Sequence, residues 1–259
     1  MFVPYSNGTT LNEQSAFTHA DVIIFDDAAV VPGFTLANMG DLDALAYIGS
    51  ARPDPVNYQV AELTRINSYG ESGSVWYKAG RVLLAGGFDT TFSFSINPDT
   101  GFNGDGFALV FQNDRMARIA VGGSQLGYDN WAKGLAIEID TFGFDNEFPT
   151  PHLSVQAGFN GLLSIEDATS LGHAFLGDGI LDGQQHTCRV VYVPVSNGGG
   201  YLNVYLDGGV TPTLTVTINE GAFTTSEAFG PGGLSYAGFT GATGSATAIG
   251  LIYPELQGK

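Results

Sequence analysis

Leu135-Ala136-Ile137-Glu138-Ile139-Asp140-Thr141-Phe142 reads as a β-strand with two unlike faces. In an extended chain successive side chains point to opposite sides. Leu135, Ile137 and Ile139 therefore share one face, and Ala136, Glu138, Asp140 and Phe142 share the other. Two carboxylates at i and i+2 stand about 6–7 Å apart along a strand. On one sheet face they repel unless something positive lies between them. No Lys or Arg occurs between Gly134 and His152, so a bound cation is the partner the spacing suggests.

The residues that follow can supply the rest of a cation site. Asp145, Asn146 and Glu147 form an acidic loop, and Pro149-Thr150-Pro151 leads into His152, which opens the next strand. Hard oxygens from Asp140, Asp145, Asn146 and a backbone carbonyl suit calcium. A second position built from Glu138, Asp140 and the His152 imidazole suits a transition ion such as manganese. Glu147 is the alternative second acid of the loop.

Working outward, strand-like runs recur at 21–25, 73–77, 90–96, 106–112, 135–142, 152–156, 186–193, 201–206, 213–218 and 235–240. Turn formers separate them: Asn97-Pro98-Asp99-Thr100-Gly101, Ser196-Asn197-Gly198-Gly199-Gly200 and Asp207-Gly208-Gly209. No segment of ten or more residues carries a capped helical period, although 42–46 suits one short helical turn. The run 184–193 pairs naturally with 201–207, with Val190, Tyr192, Leu202, Val204 and Leu206 facing inward. Trp76 and Phe92 suit packing better than ligand stacking. The expected fold is all-β: one domain over 1–259, two packed antiparallel sheets.

Composition narrows the function. The 259 residues include 26 acids, 9 bases and 37 glycines, with a formal charge of −17. Such a chain repels nucleic acid and anionic membranes. No run approaches the roughly 20 apolar residues of a membrane helix. A single cysteine, Cys188, excludes an internal disulfide and reads as a buried, inert thiol in a strand. The start MFVPYSNGTT lacks the basic and apolar regions of a signal peptide. His19, His173 and His186 have no ligand partners at useful spacing and read as surface or strand-end residues.

Glu138-x-Asp140-Thr141-Phe142, the acidic loop and Pro151-His152-Leu153-Ser154-Val155 resemble the metal-binding strand and loop of L-type, legume-lectin-like domains such as concanavalin A. Other blocks are similar in the same order. They are Leu63-Thr64 with Gly73-Ser74-Val75-Trp76-Tyr77 and Phe88 to Phe94, then Gly104-Asp105-Gly106-Phe107-Ala108-Leu109-Val110. Gly122 to Gly127, His186 to Gly208, and Ala237 to Gly244 follow. The resemblance covers about residues 60–252.

It implies a concanavalin A-like jelly roll that binds sugar and does not cut it. Asp105 would follow a cis peptide and accept bonds from two sugar hydroxyls, and Gly123 or Gly122 would donate a backbone N–H. Phe142 would stack on the sugar ring while its carbonyl binds calcium. Asp145 or Asn146 would take the place of a family asparagine whose position here holds Phe144. Gly244, Ser245 and Ala246 would lie in the loop that tunes sugar preference. The implied cofactors are Ca2+ and a second divalent ion such as Mn2+, and the implied partner is a glycan or glycoconjugate. The implied setting is extracellular or on a cell or virion surface, as a homo-oligomer or within a larger surface assembly.

Two other functions compete. A laminarinase-type glucanase shares the opening of its Glu-x-Asp-x-x-Glu signature with Glu138-Ile139-Asp140. Phe142 or Gly143 occupies the place of the last acid, and a retaining glycosidase needs two carboxylic acids about the bond. A structural jelly roll on an adhesin or virion surface that has lost sugar binding remains open, since fold alone does not fix function.

Overall fold

The computed structural model describes residues 30–31, 35–36, 39–78, 81–98, 103–113, 119–132, 134–143, 148–158, 162–196, 198–219 and 233–258. In chain order the strands are β1 (Val30–Val31), β2 (Thr35–Leu36), β3 (Leu45–Gly49), β4 (Arg52–Pro53), β5 (Ala61–Glu62), β6 (Ser72–Tyr77), β7 (Arg81–Leu83), β8 (Phe88–Pro98) and β9 (Gly106–Gln112). They continue as β10 (Trp131–Ala132), β11 (Gly134–Asp140), β12 (His152–Ala157), β13 (Leu162–Leu163), β14 (Gly172–Phe175) and β15 (His186–Pro194). The last four are β16 (Gly200–Leu206), β17 (Leu214–Ile218), β18 (Leu234–Ala242) and β19 (Ala248–Gly258). Short 3-10 turns at Gly123–Gln125, Asp167–Thr169 and Asp178–Leu181 are the helical segments among the described residues.

Two sheets carry the fold. The front sheet runs β1-β7-β18-β9-β11-β12-β14, with β6 also on β18 and β3 on β6. The back sheet runs β17-β16-β15-β8-β19-β5-β4, with β2 on β19. Every sheet pairing is antiparallel except the two-residue β1–β7 contact. Between the sheets lies an aromatic centre: Phe92 stands 4.9 Å from Phe239 and Phe94 stands 5.0 Å from Phe107, ring centroid to centroid. Leu135, Ile137 and Ile139 join that core, as alternation along β11 requires. In the back sheet Val190 pairs with Val204 and Tyr192 with Leu202, and Leu206 packs with them in the same core.

The opposite face of β11 is buried as well. Ala136, Trp76, Val110 and Tyr236 form a second apolar layer with Leu126, Tyr128, Trp131 and Leu163. Residues 119–132 and the β10–β13 pair thus roof the outer side of the front sheet, with Trp76 and Trp131 5.7 Å apart. Trp76 and Phe92 are packing residues, though in different layers.

Most sequence-expected strands appear within a residue or two, and 21–25 falls outside the described residues. The turn at 207–209 takes the expected form: Asp207 and Gly208 have φ of +51° and +69°, the left-handed region that glycine and aspartate tolerate. At 42–46 the expected helical turn gives way to a hydrogen-bonded turn at 42–44 followed by strand. Asp41 Oδ1 accepts from the N–H of Asp43 and Ala44, Leu45 N–H donates to Asp41 O, and β3 begins at once. β3 pairs along β6, and that cross-strand ladder overrides local propensity. β19 was hidden by Pro254, which has no N–H to give; its register on β8 shifts between Tyr253 and Gln257.

Candidate functional site

At the start of β9 the Gly104–Asp105 peptide is cis. The Asp105 backbone is fixed at both ends: its N–H donates to Ala242 O at 2.9 Å, and its carbonyl accepts from Thr141 N–H and Thr141 Oγ1 at 2.8 and 3.0 Å. The Asp105 side chain is only 2% exposed. Two glycines stand against its carboxylate. A methyl group built on Gly244 would lie 2.8 Å from Oδ2, and one on Gly123 would lie 3.4 Å from it. Gly104 meets Phe142 and Ala246, whose Cβ atoms would be 2.6 and 2.9 Å from such a methyl. Asp105, Gly123, Phe142, Gly244 and Ala246 are therefore one assembly, although they are drawn from residues far apart in sequence.

Three loops meet there. Gly123 N–H donates to Thr243 O at 3.0 Å, which binds the 122–125 turn to the loop after β18. That bond uses the Gly123 N–H. Gly122 N–H forms no hydrogen bond among the described residues, so of the two glycines it is the one with a donor to offer. Ser245 is exposed beside Gly244, where a loop residue can touch a ligand.

The two acids of β11 have different surroundings. Glu138 is 1% exposed. Its Oε2 accepts from the Tyr128 hydroxyl, and its Oε1 accepts from Ser154 Oγ at 2.7 Å and Gln156 Nε2 at 3.2 Å. Burial raises its pKa, and these three hydrogen bonds oppose the rise. Asp140 pairs in register with His152, and its Oδ1 accepts the Phe142 N–H at 2.9 Å. His152 is 1% exposed, and neither ring nitrogen has a hydrogen-bond partner among the described residues. Burial lowers its pKa, against the pull of Asp167, whose Oδ1 lies 3.6 Å from Nε2. A neutral imidazole with an unused lone pair, facing a carboxylate across the ladder, is a fitting donor for a cation.

Sequence reasoning brought Glu138, Asp140 and His152 into one shell. The register sets Asp140 opposite His152 but Glu138 opposite Ser154. Among the described residues no three His, Cys, Asp or Glu side chains stand together as a cation site. Asp145, Asn146 and Glu147 lie outside the described residues, as does Phe144.

Tyr128 and Asp167 escaped the sequence reading because they arrive from distant loops. Ser154 and Gln156 could have been found, since period two from His152 puts all three on one face of β12. His186 is a strand-end residue as expected, but it bridges Asp207 and Asp182, with ring nitrogens at 3.0 and 3.1 Å. Cys188 is buried, and burial pushes its thiol pKa far above the ordinary range. No helix among the described residues is long and apolar enough to cross a membrane.

The two-sheet antiparallel sandwich carries a glycine-walled, buried aspartate beside three loops, and its fold is that of the legume-lectin-like domains. A model of the legume lectin domain family matches residues 32–253, and the chain belongs to that family of carbohydrate-binding, non-catalytic proteins. Solved structures agree on the fold. Basic winged bean lectin with Tn-antigen is 20% identical, with 87% of this chain and 96% of that chain covered and a TM-score of 0.66. The Bauhinia forficata lectin in complex with GalNAc is 19% identical, with 88% and 97% covered and a TM-score of 0.67. The VIP36 exoplasmic/lumenal domain in its Ca2+/Man3GlcNAc-bound form is 21% identical, with 83% and 85% covered and a TM-score of 0.61.

Proposed function

We propose that this chain is a calcium-dependent glycan-binding domain that works as one sandwich and grips a terminal sugar at Asp105. The carrying observation is the buried Asp105 carboxylate with two glycines against it: Gly244, where a methyl would clash with Oδ2, and Gly123, at a φ of +73° that favours glycine. A carboxylate accepts from two vicinal hydroxyls, and each such charge-assisted bond is worth roughly 1.5–3 kcal/mol. Gly122 N–H is the companion donor, Phe142 the ring against the apolar side of the sugar, and Gly244 and Ser245 the selective rim. Asp145 and Asn146 extend the grip from the cation loop.

Calcium would be held by Asp140, the Phe142 carbonyl and the loop residues Asp145, Asn146 and Glu147. The His152 imidazole, whose ring nitrogens make no hydrogen bond among the described residues, favours a second ion such as manganese beside Asp140, with Glu138 behind it. Bound there, a cation neutralises the carboxylates and fixes the loop. The VIP36 domain in its Ca2+/Man3GlcNAc-bound form and the winged bean lectin with Tn-antigen support this direction. Catalysis is not expected, because Gly143 stands where a glucanase of this sandwich type needs its second acid. The fitting location is extracellular, lumenal or on a cell or virion surface.

A glycan array probed with and without calcium tests the reading. Binding to a defined set of glycans that disappears with EDTA is expected. An array blank in both conditions contradicts it.

A further inference from the structure

Residues 65–71 form a loop that takes no part in the grip described above but is built onto it. Glu71 accepts from Arg65 N–H at 2.7 Å and pairs with the Arg65 guanidinium, closing the loop at its base. Thr243 Oγ1 donates to Ser68 O at 2.7 Å and accepts from Glu71 N–H at 3.0 Å. Gly70 N–H donates to Gly244 O at 3.2 Å, one residue of the Asp105 cradle. On the other side the Gly122 backbone presses on the carbonyls of Glu71 and Gly70, where a methyl on Gly122 would lie 2.5 and 3.3 Å away. The loop is therefore clamped to both backbone segments that flank the Asp105 carboxylate.

Alongside the polar Arg65 and Asn67, this clamped loop shows large apolar side chains to solvent. Tyr69 is 69% exposed and Ile66 44%, and Val121, one residue before the Gly122 contact, is 70% exposed. Tyr69 likewise sits one residue before Gly70, so Tyr69 and Val121 flank the same backbone junction. Exposed apolar residues are ordinary when scattered. Two that flank one junction, Tyr69 on a loop held at several points and Val121 on the segment facing it, beside a buried carboxylate, are an arrangement suited to stacking. A rigid aromatic adds contact area at low conformational-entropy cost.

We propose that Tyr69, with Val121 across the Gly70–Gly122 junction, forms a second subsite that receives the sugar ring linked to the one held at Asp105. The ligand class is an uncharged oligosaccharide of at least two residues. The Tyr69 ring covers the apolar face of the second pyranose, and Gly70–Gly244 sets the step between subsites. The inference rests on the Asp105 reading, and the two can fail separately.

The test is titration calorimetry on the wild type, Tyr69→Ala and Tyr69→Phe in calcium. The probes are methyl glycosides of mannose, glucose, galactose and N-acetylgalactosamine, and disaccharides with each of these at the non-reducing end. A stacked ring is worth about 0.5–1.5 kcal/mol, or roughly twofold to tenfold in Kd. The wild type should prefer its disaccharide to the matching methyl glycoside by such a factor. Tyr69→Ala should erase that preference and leave the methyl glycoside Kd within about twofold, while Tyr69→Phe keeps it. A disaccharide preference that survives Tyr69→Ala, or is absent from the wild type, overturns the subsite alone. A wild type that binds none of the probes overturns the Asp105 reading with it.

Discussion

Glu138 and Asp140 leave the same face of one strand two residues apart, both end in a carboxyl group and meet different surroundings. Glu138 is covered by the 119–132 roof and held by Tyr128, Ser154 and Gln156, three hydroxyl or amide donors. Asp140 lies at the strand end, opposite a histidine whose ring nitrogens make no hydrogen bond among the described residues and whose Nε2 lies 3.6 Å from Asp167 Oδ1. Buried charge is tolerated where hydrogen bonds satisfy it, and a neutral imidazole beside a carboxylate invites a cation. Sequence spacing makes the two acids equivalent. The surroundings make one a structural anchor and set the other at a strand end across from a buried imidazole.

The largest effect that separates them is on stability without metal. Glu138→Ala strands three buried donors and opens a cavity, and breaking such a site costs about 3–5 kcal/mol. At roughly 2–4 °C per kcal/mol for a domain of this size, Tm in EDTA should fall by about 6–20 °C. Asp140→Ala in EDTA should fall far less. Equal losses at the two positions would erase the contrast.

Calcium sharpens it next. A ligand that binds only the native state stabilises by about 2.7 kcal/mol at a hundredfold excess over Kd. Scanning calorimetry should show a calcium-dependent rise in Tm for the wild type and for Glu138→Gln, and little or none for Asp140→Asn. Loss of the rise in Glu138→Gln with retention in Asp140→Asn reverses the assignment.

The histidines give a smaller version of the same contrast. His152 is held neutral by burial. Burial also pulls at His186, but the carboxylates of Asp207 and Asp182 overcome it and raise its pKa. A raised histidine pKa contributes stability that is complete below the unfolded value near 6.5 and is lost as pH rises through the folded value. His186→Gln should therefore cost more at pH 5.5 than at pH 8.5, by under about 1 kcal/mol for so exposed a bridge. Urea melts that show the larger cost at pH 8.5 would contradict the sign.

Much of the fold was legible because alternation and turn chemistry are local. The strand 135–140, the 190–204 pairing and the 207–208 turn need only neighbours in the chain to be read. The roof over β11 was not legible: Leu126, Tyr128 and Trp131 lack any period, and only the folded chain shows that they bury Glu138. The same holds for the site. Asp105, Gly122, Gly123, Phe142 and Gly244 entered through resemblance, whereas Tyr69 and Asp167 depend on contacts that no spacing reveals. Glu138 and Asp140 were grouped because period two reports a shared face and says nothing of what covers it.

The proposed glycan grip turns on Asp105, whose neighbour Gly106 pairs with Asp140 of β11. Asp105→Asn keeps the shape and removes the charge, which converts charge-assisted bonds at roughly 1.5–3 kcal/mol into neutral ones of about 1. A monosaccharide bound near a millimolar Kd has only about 4 kcal/mol of affinity to lose. Titration of Asp105→Asn in calcium, with the best-binding glycan of the array, should show at least a tenfold weaker Kd, while the melting curve stays that of the wild type. An unchanged Kd in a folded Asp105→Asn protein contradicts the assignment and moves the sugar elsewhere on the molecule.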